Sequence, residues 1–147
     1  MIKPEFLDYL HEIELSQPII ERINSVYDKY EPVFQGIIDD IFVEDFIVDG
    51  GERQYFSLYL FSKDTMYEIP NFTKKPDSIG IIPLPKKIEF LKMDNCDYNF
   101  STAQINSKLV AIFPLSFVVQ STIKASYKNC NFLMKILNKY ITPRLKF

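Results

Sequence analysis

The chain has 147 residues, 47% of them hydrophobic and 24% charged, with a formal net charge of −2. This is the size and composition of one globular domain able to bury a core, and it argues against disorder. Four Gly, two Cys and one His argue against a glycine-rich phosphate loop, a disulfide scaffold and a histidine-rich metal site.

Phe6, Leu7, Leu10 and Ile13 recur at helical spacing and predict a short helix before Leu15. Ser16 followed by Pro18 is a helix start signal. From there Ile19, Ile20, Ile23, Val26, Tyr27, Tyr30, Val33 and Phe34 form one apolar face. Pro32 and Gly36 should end this amphipathic helix. The period then changes. Asp40 to Val48 and Arg53 to Phe61 read as strands around the turn Asp49-Gly50-Gly51-Glu52. Ser62 to Thr65 is a second turn, and Met66 to Phe72 a third strand. Short apolar runs follow at Ile79 to Leu84 and Ile88 to Met93, split by Pro83 and Pro85. Asp94 to Asn106 reads as a polar turn. Leu109 to Phe113 and Phe117 to Ala125 are two more strands, and Ser126 to Asn129 can cap a last helix. Leu133, Ile136, Leu137, Tyr140 and Ile141 are its apolar face, and Pro143 stops it.

The order of elements predicts an α+β fold. An N-terminal amphipathic helix precedes an antiparallel meander of about six or seven strands, which curls into a partly open barrel capped by the C-terminal helix. The whole chain, 1–147, reads as a single domain. It has a helical segment over 1–36, a sheet or barrel over 37–126, and a helix and tail over 127–147.

The run RQYFSLYLFSKDTMY over Arg53–Tyr67 is a strand, tight turn and strand. It resembles the corresponding unit of bacterial pleckstrin-homology-like barrels. The segment IPLPKKI over Ile82–Ile88 and the Ser121–Ser126 strand running into the Asn129–Tyr140 helix resemble later parts of the same family. The resemblance spans about Asp39 to Tyr140 and implies a pleckstrin-homology-like barrel. Lipid-binding members carry several basic residues around the first hairpin. Here that hairpin holds Asp49 and Glu52, with Glu44 and Asp45 nearby, and only Arg53 is basic.

No catalytic set stands out. Any Ser–His–Asp or Cys–His arrangement must use His11, which lies in an acidic helical segment and reads as an ordinary surface residue. Cys96, Cys130 and His11 are too scattered for zinc, and Asp94-Asn95-Cys96-Asp97 is a turn rather than a calcium loop. The pairs Asp39-Asp40 and Glu44-Asp45 are adjacent on a strand, so each pair points to opposite faces and is expected to be solvated. No nucleotide-loop or nucleophile-elbow motif occurs. The reading is therefore not an enzyme, with no cofactor and no metal. Most of the Phe and Tyr fall on core positions. Tyr55 and Tyr59 share the outward face of their strand and are candidate contact residues.

The small net charge conceals a strong polarity. Residues 1–52 carry a net −10, and residues 101–147 a net +7 with no acid at all. Lys124, Lys128, Lys135, Lys139, Arg144 and Lys146 form a candidate basic contact patch, which Lys74-Lys75 and Lys86-Lys87 could extend. The expected function is a non-catalytic interaction domain that binds another protein. The alternative is peripheral binding of an anionic membrane surface or nucleic acid through the basic C-terminal third. A small enzyme working in the barrel mouth is the third reading, and homo-oligomers are allowed. With no signal peptide and no uncharged run long enough to span a bilayer, the expected location is cytoplasmic, with both cysteines reduced.

Overall fold

A computed structural model describes residues 1–48, 50–95 and 109–145. It is α+β, with three helices and seven strands among these residues. Helix α1 runs over Pro4–Glu12 and α2 over Gln17–Tyr30. Strands β1 (Asp40–Ile47), β2 (Arg53–Ser62), β3 (Thr65–Ile69) and β4 (Gly80–Pro83) follow, then β5 (Lys92–Asn95), β6 (Leu109–Pro114) and β7 (Gln120–Ala125). Helix α3 spans Cys130–Ile136 and continues as a wider π-helical turn over Leu137–Ile141.

The strands form two sheets, ordered β1-β2-β3-β4 and β5-β6-β7, and close no barrel. The expected single meander breaks after β4. Pro83 and Pro85 have no N–H to donate, so the ladder cannot be carried forward there. The expected strand from Ile88 to Met93 is likewise displaced. Regular pairing starts only at Lys92, opposite Ile112, and Ile88 instead makes an isolated parallel bridge to Leu145. The polar turn expected over Asp94 to Asn106 lies mostly outside the described residues.

The fold divides into two compact units: residues 1–43 with 56–82, and residues 44–55 with 83–147. In the first, α1 and α2 present the apolar faces their spacing predicted, and Leu10, Ile13, Ile23 and Val26 are fully buried. Helix α2 stops at Tyr30, six residues short of Gly36, because Pro32 sits in a 3-10 turn over Glu31–Val33. Tyr9 stacks on Phe42 and its hydroxyl accepts the Val43 N–H at 3.0 Å, which ties α1 to β1. A ring chain of Tyr27, Phe34 and Tyr67 joins the end of α2 to β3. Strand β2 pairs with β3 in the register Leu58↔Ile69 to Ser62↔Thr65. Every residue from Ser57 to Ser62 is buried, so both faces of this part of β2 are covered.

In the second unit, β6 and β7 alternate as half-buried strands do. Leu109, Ala111 and Phe113 are buried on β6, while Ser121, Ile123 and Ala125 are buried on β7. Phe113↔Ser121 and Ala111↔Ile123 are directly opposed. All five apolar residues assigned to the C-terminal helix face are buried. Each such side chain contributes roughly 1.5–3 kcal/mol on burial. At the β1–β2 turn Gly50 and Gly51 take φ of +90° and +84°, a region closed to most L-residues, and the turn closes by Val48 N–H to Glu52 O at 2.9 Å.

Candidate binding surfaces

The acidic pair Glu44-Asp45 is not solvated: Glu44 is 3% exposed and Asp45 0%. The alternation of side chains expected on a half-exposed strand fails here because β1 is buried on both faces from Ile41 to Asp45. Asp45 Oδ2 accepts Arg53 Nε at 2.8 Å and Ser126 Oγ at 2.6 Å, and lies 2.7 Å from Arg53 Nη2. Its Oδ1 accepts the Ser126 N–H at 2.8 Å and Asn129 Nδ2 at 3.2 Å. Glu44 accepts the Lys124 N–H at 3.0 Å. The two carboxylates therefore hold the end of β7 and the approach to α3. Four hydrogen bonds and the ion-pair contact from Arg53 Nη2 engage the Asp45 carboxylate, which makes it a structural tie. The other acidic pair differs, with Asp39 exposed and Asp40 half-buried.

A second carboxylate is satisfied in the first unit. Asp77, its side chain 3% exposed, accepts Lys29 Nζ at 2.6 Å, Tyr30 OH at 2.5 Å and Arg22 Nη2 at 2.7 Å. The Lys29 ammonium, then the Tyr30 hydroxyl and the Arg22 guanidinium, hold its carboxyl well below the usual carboxylate range. Arg22 also donates through Nε to the Phe72 carbonyl at 2.7 Å, so the cluster pins the loop after β3 to α2.

The contact residues expected from the sequence divide. Tyr59 is 2% exposed, which corrects its outward placement. Its hydroxyl donates to Glu68 Oε2 at 3.0 Å, the same atom that accepts Ser57 Oγ at 2.9 Å. Tyr55 is half-buried with the Arg53 guanidinium 5.3 Å from its ring centroid, and burial raises its hydroxyl pKa. Lys124, Lys128, Lys135 and Lys139 are exposed. Three of their ammoniums lie over rings, Lys124 on Phe46, Lys135 on Phe132 and Lys139 on Tyr140, at 5.2–5.5 Å. Arg144 is half-buried. It donates to the carbonyls of Tyr140 at 2.9 Å and Pro85 at 3.1 Å, so it braces the 84–85 segment. Lys146 lies outside the described residues. His11 is exposed, and among the described residues no group of His, Cys, Asp or Glu could hold a metal ion.

The most exposed large apolar groups lie where the sequence predicted the start of a strand. Residues 115–119 form the β6–β7 loop, and β7 begins only at Gln120, opposite Pro114. Phe117 is fully exposed, Val118 91% and Val119 51%. The loop contains no Gly, Asn, Asp or Pro. Ser116 does the turn chemistry instead. Its hydroxyl accepts the N–H of Val118 at 3.4 Å and of Val119 at 3.1 Å. The Leu115 and Ser116 N–H groups both donate to the Val119 carbonyl, at 2.8 and 3.1 Å. A groove of about 300 Å³ runs beside this tip, lined by Pro114 to Phe117 and by Pro85, Lys87 and Glu89. The run Phe-Val-Val reads as β from local propensity. The signal for its exposure was three consecutive apolar residues, which a half-buried strand cannot turn to one face.

No protein-family model matches the chain, and neither does any curated protein or solved structure. Among the described residues no helix is long and apolar enough to cross a membrane.

Proposed function

We propose that this chain is a non-catalytic interaction domain and that the β6–β7 tip is its contact surface. The carrying observation is the full exposure of Phe117 and Val118 on a loop braced by its own hydrogen bonds. Exposed side chains of this size add nothing to the core. Burial against a partner contributes roughly 1.5–3 kcal/mol for each. The carboxylates that could have served acid–base chemistry in this unit are instead occupied by structural donors. The pleckstrin-homology-like resemblance of the 53–67 unit adds nothing to this reading, because the strands form two separate sheets and fold likeness by itself fixes no function.

A photo-crosslinking residue placed at position 118 tests this in a lysate that retains its membranes, with position 63 on the β2–β3 turn as control. A discrete protein or lipid adduct at 118 and none at 63 is the expected result. Equal labelling at both positions, or none at 118, overturns it.

A further inference from the structure

The tip carries information about its partner. A stable protein interface engages about 20–30 residues a side, whereas within the 115–119 loop full apolar exposure belongs to the consecutive residues Phe117 and Val118, with Val119 half as exposed. The tip is a finger, not a face. Entry into an apolar phase requires that backbone N–H groups be satisfied internally. Four of the five in this loop are, those of Leu115, Ser116, Val118 and Val119, which leaves only the Phe117 N–H to be met by water or a headgroup oxygen. Lys87 lines the groove beside Phe117, and Lys86 precedes it; both are exposed. Glu89 on the same rim offsets one of the two charges, so apolar insertion is the larger contribution and headgroup attraction the smaller.

We propose that the β6–β7 tip inserts Phe117 and Val118 into the outer edge of an anionic bilayer, with Lys86 and Lys87 at the level of the headgroups. This rests on the tip being the contact surface. It differs from the sequence-based alternative, in which the C-terminal basic residues meet the membrane.

The full chain is sedimented with sucrose-loaded vesicles of phosphatidylcholine alone and of phosphatidylcholine with phosphatidylserine at about 4:1, at low and moderate salt. Binding to the anionic vesicles is expected, weaker on the neutral ones, with at least a tenfold loss in the F117S/V118S variant. Circular dichroism confirms that this variant is folded. The chain has no Trp, so Phe117→Trp supplies a single reporter whose emission should shift to the blue on anionic vesicles. A K135A/K139A variant should bind as the parent does. The proposal is overturned by no sedimentation at low salt, by equal binding to neutral vesicles, by an unshifted Trp emission, or by loss of binding in K135A/K139A alone. A protein adduct at position 118 together with any of these results would leave the contact surface standing and remove the bilayer as its partner.

Discussion

Asp45 and Arg53 face each other across the β1–β2 hairpin as a buried ion pair, with Arg53 Nε and Nη2 2.8 and 2.7 Å from one carboxylate oxygen. The other contacts of that carboxylate come from Ser126 and Asn129, some eighty residues later in the chain. One side chain thus joins the hairpin, the end of β7 and the start of α3.

Breaking this tie should be costly. Asp45→Ala leaves the Arg53 guanidinium and the Ser126 and Asn129 donors without their common acceptor. The expected loss is about 3–5 kcal/mol, since removing one partner strands the other charge. Urea unfolding reads it as a lower midpoint. A loss under about 1 kcal/mol would mean that water or another group takes the place of the carboxylate.

Asp77 sets an acid-sensitive part of stability. Its folded pKa lies below the unfolded value of about 3.9. Between those two values the unfolded chain binds more protons, so stability falls as the pH falls. The contribution is fully present well above pH 4 and is lost as the pH drops toward the folded value. The gap in stability between the parent and Asp77→Asn should therefore be largest near neutrality and shrink below about pH 4. Parallel curves across that range would assign the acid sensitivity to other groups.

Tyr9→Phe keeps the stacking on Phe42 and removes the acceptor of the Val43 N–H. Val43 loses that hydrogen bond, at an expected cost of about 0.5–1.5 kcal/mol. Thermal melting with an unchanged circular dichroism spectrum measures it, and an unaltered midpoint would refute the tie between α1 and β1.

The tip should behave in the opposite way. Phe117→Ser and Val118→Ser remove side chains that are exposed, so unfolding free energy should move by no more than about 0.5 kcal/mol. A large destabilisation would show that these residues support the fold and are not held out for contact.

Local signals carried much of this fold. The 3.6-residue period placed α1, α2 and the buried face of the C-terminal helix. Gly50-Gly51 placed the first hairpin, because a turn with positive φ selects glycine. The apolar runs also located β6 and most of β7, where burial alternates along the strand. The reading failed where a strand is covered on both faces. Tyr59 looked outward because alternation placed its neighbours inward, and Glu44 and Asp45 looked solvated because charge at adjacent strand positions is ordinarily left in water. It failed again at Phe117, where β propensity extended a strand into a loop held by the Ser116 hydroxyl.

Period, turn chemistry and charge count are properties of neighbours along the chain, and the sequence alone determined those: an α+β protein with an acidic beginning and a basic end. Only the tertiary structure decided which carboxylates are buried and which apolar residues are left out. Burial of Asp45 depends on donors that arrive from position 126 and beyond, and exposure of Phe117 depends on strand pairing that ends at Pro114↔Gln120. The first is set by contacts between segments some eighty residues apart, the second by where the β6–β7 hairpin stops pairing, and neither follows from period or propensity alone.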